Sequence, residues 1–275
     1  MNPHPLKRPL KRPLKRLAQH FLKDQRTVQR IVNALDPKPD ETIVEIGPGT
    51  GALTAALLER AGRVVAVEFD EALEPLLRER FADRANFKLV MSDALTTDFC
   101  AEIQPAPRAR LAANLPYNIS TAILQRLIAQ RECLTEMVVM LQREVVERVL
   151  APAGSSERGY LSVLVEAYAE TEKLFDVAPG AFRPPPKVWS SVMRLVFKPQ
   201  VIANEDLFWE TVSAGFAQKR KTILNNLRHA PGRLQDVLQR NGGASIVLCK
   251  AEVELQRRAE TLTIEEWNRI VAAMV

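Results

Sequence analysis

The chain has 275 residues and a mass of 30.8 kDa, with 47% hydrophobic and 26% charged residues. That balance excludes a disordered chain, a collagen-like chain and a coiled coil, and no apolar run approaches the roughly 18–20 residues of a membrane span. The net charge of +5 is uneven: residues 1–30 hold nine Lys/Arg and one acid, Asp24, while the remainder carries 29 basic and 32 acidic residues.

A basic arm of this kind suits a polyanion, because Lys and Arg gain by displacing condensed counterions. Residues 5–16 repeat Pro-Leu-Lys-Arg three times. A proline at every fourth position forbids a regular helix and predicts an extended arm. The segment lacks the apolar stretch of a secretory signal and the serines of a transit peptide. From residue 24 the pattern alternates between helix and strand. Helical periodicity over residues 24–35 stops before Asp36-Pro37. Strands are predicted at 42–46, 63–68, 87–91 and up to 113, with helices at 52–61, 71–80 and 121–130. An apolar strand at 137–141 and helices at 144–150 and 161–169 follow. Two late strands, 173–177 and 191–197, flank a proline-rich loop. This alternation implies a parallel sheet covered on both faces. Beyond residue 200 only helices are predicted: 206–216, 221–228, 232–239 and 264–275. The organisation read from this is a basic arm (1–20), an α/β Rossmann-like domain (21–199) and a small all-helical domain (200–275). Cys100, Cys133 and Cys249 lie far apart in the chain and suggest no disulfide framework, which fits a reducing compartment.

Three motifs carry chemistry. The first is Val44-Glu45-Ile46-Gly47-Pro48-Gly49-Thr50-Gly51, which ends a strand and opens a helix. Its glycines admit a ligand close to the backbone, and the helix start offers unpaired N–H groups. With Glu68 about 20 residues on, it also matches a dinucleotide fingerprint, so a nicotinamide oxidoreductase competes at this point. Glu45 inside the strand, and Asp93 after the third strand, favour a cationic nucleoside instead. One carboxylate would serve ribose hydroxyls and another an adenine amine, as for S-adenosylmethionine.

The second motif, Asn114-Leu115-Pro116-Tyr117, follows the fourth strand. The exocyclic amine of adenine is a poor nucleophile because its lone pair is delocalised into the ring. Acceptors aimed at its two hydrogens favour rehybridisation and stabilise the charge that develops on nitrogen. The Asn114 side-chain oxygen and the Pro116 carbonyl are candidates for those acceptors, and Tyr117 for a stacking face. The third motif, Phe182-Arg183-Pro184-Pro185-Pro186-Lys187-Val188, offers Phe182 as the opposite face of an aromatic sandwich.

Together these residues resemble the KsgA-type small-subunit rRNA adenine N6,N6-dimethyltransferase family. The resemblance also includes Gln19-His20-Phe21-Leu22, Asp93-Ala94, residues 114–120, 141–145 and 182–191, and Gln218-Lys219-Arg220-Lys221-Thr222. It implies a class I S-adenosylmethionine-dependent methyltransferase fold with a small helical C-terminal domain. It implies dimethylation of two adjacent adenosines in the 3′-terminal hairpin loop of 16S rRNA within a pre-ribosomal particle. A cytoplasmic monomer, no membrane and no metal are expected. By the resemblance, His20, Leu22, Gly47, Glu68, Asp93 and Asn114 touch the cofactor, His20 and Leu22 through a segment that lids it, so that residues 1–20 make an arm and lid. Ala18 stands where the family usually has glycine, and His20 where many members have asparagine. Lys219, Arg220 and Lys221, with Arg228 and Arg233, give the helical part a basic face suited to RNA. A large-subunit rRNA adenine methyltransferase of the macrolide-resistance type shares the tetrapeptide, but usually with isoleucine where Leu115 stands. A non-catalytic RNA- or DNA-binding factor would not need the intact tetrapeptide and both acids.

Overall fold

The computed structural model describes residues 20–199 and 202–275. The Pro-Leu-Lys-Arg repeat, Ala18 and Gln19 lie outside the described residues. Two short strands frame the entrance to the fold: β1 (Phe21–Leu22) near the start, and later β8 (Phe182–Arg183). Between them come α1 (Gln25–Leu35), β2 (Thr42–Ile46), α2 (Ala52–Leu58), β3 (Arg63–Glu68), α3 (Glu74–Arg80), β4 (Phe87–Met91) and α4 (Phe99–Glu102). The chain continues through β5 (Ala109–Asn114), α5 (Ser120–Ala129), β6 (Leu134–Gln142), α6 (Arg143–Val149), α7 (Tyr160–Tyr168) and β7 (Ala169–Val177). After β8, the last strand is β9 (Ser190–Phe197).

Seven strands form one sheet in the order β4-β3-β2-β5-β6-β9-β7. The five from β4 to β6 are parallel, while β9 runs antiparallel to both β6 and β7. β2 and β3 are buried almost throughout, as expected of strands covered on both faces. The chain runs outward from β2 to β3 and β4, then crosses back to β5 on the other side of β2. That reversal opens a crevice beyond the carboxyl ends of β2 and β5, where α/β sheets bind ligands.

Caps set the helix starts. Asp24 accepts from Thr27 N at 2.9 Å at the start of α1, and Asp98 from Ala101 N at 3.0 Å at the start of α4. Each supplies an acceptor for an otherwise unpaired helix N–H. The C-terminal part holds α8 (Glu205–Gly215), α9 (Ile223–Arg228), α10 (Gly232–Arg240), α11 (Ala244–Lys250) and α12 (Ile264–Ala272). α11 was not predicted: its sequence is short and follows two glycines at positive φ, Gly242 and Gly243. The core is continuous from one side of the sheet into these helices, joining Leu141 and Leu164 to Phe208 and Trp267. A second cluster under α1 and α2 includes Leu22, Val28, Leu57 and Phe182.

The expectation that no cysteines pair is corrected. Cys100 on α4 and Cys133, just before β6, form a disulfide with Cα atoms 5.4 Å apart. The Gln130 side chain explains the proximity: its oxygen accepts from Phe99 N at 2.7 Å and its nitrogen donates to Thr97 O at 2.9 Å. The start of α4 is thereby tied to the end of α5, although 33 residues separate the two cysteines. Cys249 is free and exposed. No helix among the described residues is long and apolar enough to cross a membrane.

Candidate active site

A cavity of about 310 Å³ occupies the crevice beyond β2 and β5. Its walls include His20, Leu22, Glu45, Gly47, Glu68, Asp93, Asn114, Pro116 and Tyr117. Residues from five stretches of the chain thus meet at one place, including every cofactor-contact candidate from the sequence.

The turn after β2 owes its shape to its glycines. Gly47, Gly49 and Gly51 have φ of 68°, 58° and 82°, a region that L side chains rarely adopt. A Cβ at Gly49 would stand 2.9 Å from the Phe21 ring, so β1 packs this close only because that side chain is missing. Phe21 had no signal beyond its place beside His20, and its role was not anticipated. The Glu68 carboxylate braces this turn. Its Oε2 accepts from Gly49 N at 3.2 Å, and its Oε1 accepts from Phe69 N and Asp70 N, each at 2.9 Å. Burial pushes the Glu68 carboxyl up, and these N–H groups oppose that push by stabilising the ionised form. Phe69, at 60% exposure, stands at the cavity rim and was also missed; an exposed aromatic directly after a buried acid is the signal that would find it. Asp93 accepts from Leu95 N at 2.9 Å through Oδ1, the turn role expected of an aspartate there, while still lining the cavity.

Glu45 is fully enclosed in β2, and its Oε2 has no hydrogen-bond partner among the described residues. Burial, reinforced by the charge of Glu68, pushes its carboxyl up to about 8. Folded Glu45 therefore keeps a proton that the unfolded chain releases near 4.5. Its contribution to stability is complete below that lower value and is lost as pH rises toward about 8. The Tm of the ligand-free protein is expected to fall over this window, and Glu45→Gln to flatten the fall. Parallel Tm–pH curves for the two proteins would contradict this assignment.

Asn114 ends β5, and Leu115 N donates to Met140 O at 3.1 Å, which fixes the strand end. The Asn114 amide nitrogen donates to the His20 carbonyl at 3.2 Å, so Oδ1 must point elsewhere. That Oδ1 is buried and unpartnered among the described residues. A buried acceptor without a donor costs free energy unless a ligand supplies one. The Pro116 carbonyl accepts from Ile119 N at 3.2 Å, which leaves one lone pair. The Tyr117 hydroxyl lies 2.5 Å from Ser190 Oγ, and burial raises its pKa above the ordinary phenolic value. The Tyr117 ring stands 5.5 Å from the His20 ring, centroid to centroid. His20 in turn contacts Pro184 O through Nδ1 at 2.8 Å.

Phe182 is a correction. Its ring is 1% exposed and belongs to the cluster containing Leu22, Val28 and Val177, not to the cavity wall. The reason is strand parity. β8 pairs antiparallel with β1, Leu22 opposite Phe182 and Phe21 opposite Arg183. Successive side chains alternate, so Arg183 faces solvent and Phe182 faces the core. Phe182 therefore anchors β1 rather than stacking on a base. Of the basic residues 219–221, only Lys221 differs from its expected place, which was the start of a helix. α9 starts at Ile223 with Thr222 as its cap, so Lys219, Arg220 and Lys221 occupy the exposed α8–α9 turn, away from the cavity lining. Arg233 stands 3.8 Å from Glu210 in an exposed pair.

Comparison with known proteins places this geometry. The family model described as ribosomal RNA adenine dimethylase matches residues 11–271. The chain belongs to the ribosomal RNA adenine dimethylase family. A relative from Hahella chejuensis named ribosomal RNA small subunit methyltransferase A is 41% identical over 255 residues, 92% of this chain and 89% of that protein. A protein of the same name from Xanthomonas campestris is 45% identical over 214 residues, 77% of this chain and 81% of its own. Among solved structures, a dimethyladenosine transferase from Plasmodium falciparum superposes with a TM-score of 0.74 at 27% identity, covering 91% of this chain and 96% of that one. The 23S rRNA methyltransferase ErmE gives 0.65 at 25% identity, covering 92% and 99%. For an adenine dimethylase, the cavity's two requirements are a cationic nucleoside donor and a flipped adenine. The glycine cradle, Glu68 and Asp93 fit the first, and the orphan Asn114 oxygen fits the second.

Proposed function

We propose that this protein dimethylates the N6 amines of two adjacent adenosines in the 3′-terminal hairpin loop of small-subunit (16S) rRNA, using S-adenosylmethionine, during ribosome biogenesis. The observation that carries the reading is the buried, unpartnered Asn114 Oδ1 in one cavity with Glu68 and Asp93. Gly47 holds the amino-acid portion of the donor, Glu68 its ribose hydroxyls and Asp93 its adenine amine. His20 and Leu22 close over it through β1. When bound, S-adenosylmethionine supplies a methyl group on positively charged sulfur.

Asn114 Oδ1 and the Pro116 carbonyl accept the two hydrogens of the target amine. They pull the nitrogen lone pair out of ring conjugation and stabilise the positive charge that grows on nitrogen. Tyr117, held by Ser190, gives the adenine a stacking face. The amine proton becomes acidic as the nitrogen–carbon bond forms and leaves to water, so the site needs no strong base. The ErmE likeness keeps a large-subunit target in view, but the 41–45% identical relatives carry the small-subunit name.

Residues 1–20 serve as arm and lid, 21–199 as the catalytic domain and 200–275 as a helical RNA-binding unit that acts through Lys219, Arg220 and Lys221. The substrate is the pre-ribosomal particle, met by a cytoplasmic monomer. Incubation with labelled donor and unmethylated small subunits, followed by nucleoside mapping, tests the reading. Label in two adjacent N6,N6-dimethyladenosines of 16S rRNA is expected; unlabelled small subunits, with label entering 23S rRNA when large subunits are supplied instead, refute it. Deleting residues 1–16 is expected to flatten the salt dependence of RNA binding, since those residues carry six of the basic side chains. An unchanged slope would remove the arm from the interface.

A further inference from the structure

One large aromatic side chain on the active-site edge has no part in the mechanism. Trp189 is 46% exposed, beside Val188 at 44%. It directly precedes β9, whose first residue, Ser190, pairs with Gln142 at the end of β6. Because β9 is antiparallel, its start lies at the same edge of the sheet as Asn114. Ser190 is buried and holds the Tyr117 hydroxyl at 2.5 Å. Trp189 itself precedes the strand, and its exposed side chain lines a groove formed by residues of 23–30 and 176–181, next to but separate from the Asn114 cavity. The Trp189 carbonyl accepts from Arg143 N at 2.9 Å, and the Arg143 guanidinium lies 6.0 Å from the indole centroid.

The groove beside Trp189 contains two cations, Lys23 and Arg30, and two acids, Asp24 and Asp176. The acids are held within the protein but stay ionised, so they balance those two cations. Asp24 accepts from Thr27 N and Oγ1, and Asp176 from Ser191 Oγ and Lys173 Nζ; those hydrogen bonds hold both carboxyls below their usual range. Arg183 and Lys187, on the same loop as Trp189, are exposed. An exposed, rigidly mounted indole among cations has the make-up of a stacking platform for a nucleic-acid base.

We propose that Trp189 stacks on an rRNA base flanking the target adenosine, while Arg143 and the neighbouring cations take the adjoining phosphates. This rests on the rRNA reading above and adds a specificity contact to the same site. The test compares the full-length protein with Trp189→Ala and Trp189→Phe on unmethylated small subunits with labelled donor. For Trp189→Ala, KM for subunits is expected to rise about tenfold, the scale of one lost base–aromatic stack. Trp189→Phe should stay within about twofold, and kcat and donor affinity should not change in either. An unchanged KM in Trp189→Ala overturns the proposal while wild-type turnover still upholds the methyltransferase reading. A rise in KM accompanied by a lower Tm or weaker donor binding makes Trp189 structural and also overturns it. A photoreactive side chain at position 189 that crosslinks to ribosomal protein instead of rRNA overturns it too. Absence of wild-type turnover on the subunit fails the underlying reading itself.

Discussion

Asn114→Ala is expected to lower kcat by at least about 10²–10³, the cost of removing one preorganised acceptor, roughly 2.7–4 kcal/mol. Binding of rRNA should be nearly unchanged, because the flipped base still meets Tyr117 and the phosphates still meet the basic surface. The side chain has two tasks, however. Its Nδ2 donates to the His20 carbonyl, and its Oδ1 faces the cavity. Asn114→Asp separates them, since a carboxylate keeps an acceptor but cannot donate to His20. A loss in Asn114→Asp smaller than in alanine assigns most of the effect to the acceptor. Single-turnover methylation with saturating donor reads this directly, and undiminished turnover by Asn114→Ala refutes the mechanism.

The second large effect belongs to Glu68. Loss of one charge-assisted hydrogen bond to a ribose hydroxyl costs ~1–3 kcal/mol. The structure makes the expected loss larger than that. The same carboxylate accepts from the backbone of Gly49, Phe69 and Asp70, and alanine would leave those three donors without their acceptor. Without the brace, the Gly47–Gly51 turn loses the shape that admits the donor. Donor affinity in Glu68→Ala is therefore expected to fall by more than about 200-fold, beyond what a single lost contact explains. Glu68→Gln retains one acceptor oxygen but turns an NH₂ toward one set of N–H groups, so an intermediate loss is expected. Calorimetric titration with S-adenosylmethionine measures both, and equal affinity for wild type and Glu68→Ala would place the nucleoside elsewhere.

The main elements of the site were legible because each is a local event. A buried apolar run, a glycine turn and a helix start need only adjacent residues to announce them, and Val44–Gly51 contains all three. An acid or an asparagine directly after such a run must lie at a strand's carboxyl end. In a parallel sheet all those ends share one edge, so Glu68, Asp93 and Asn114 had to converge once the strands were placed. The lysine–arginine surplus of the first 30 residues is likewise a property of composition alone.

What tertiary structure decided depends on partners distant in the chain. Phe182 reads as an exposed loop aromatic until β8 is seen to pair with β1, 160 residues earlier, and that pairing fixes which face of the strand it takes. A shift of one residue would expose the ring and bury Arg183, and nothing in the local sequence chooses between the two registers. The Cys100–Cys133 pairing follows from the Gln130 bridge, which forms only once the crossover between β4 and β6 has folded. Trp189 gains its position from the antiparallel β9, whose direction places its first residue at the active-site edge. Sequence determined which chemical groups the protein possesses and at which strand ends they stand. Long-range strand pairing, with its alternation of inward and outward side chains, decided which of them face the ligand and which hold the fold.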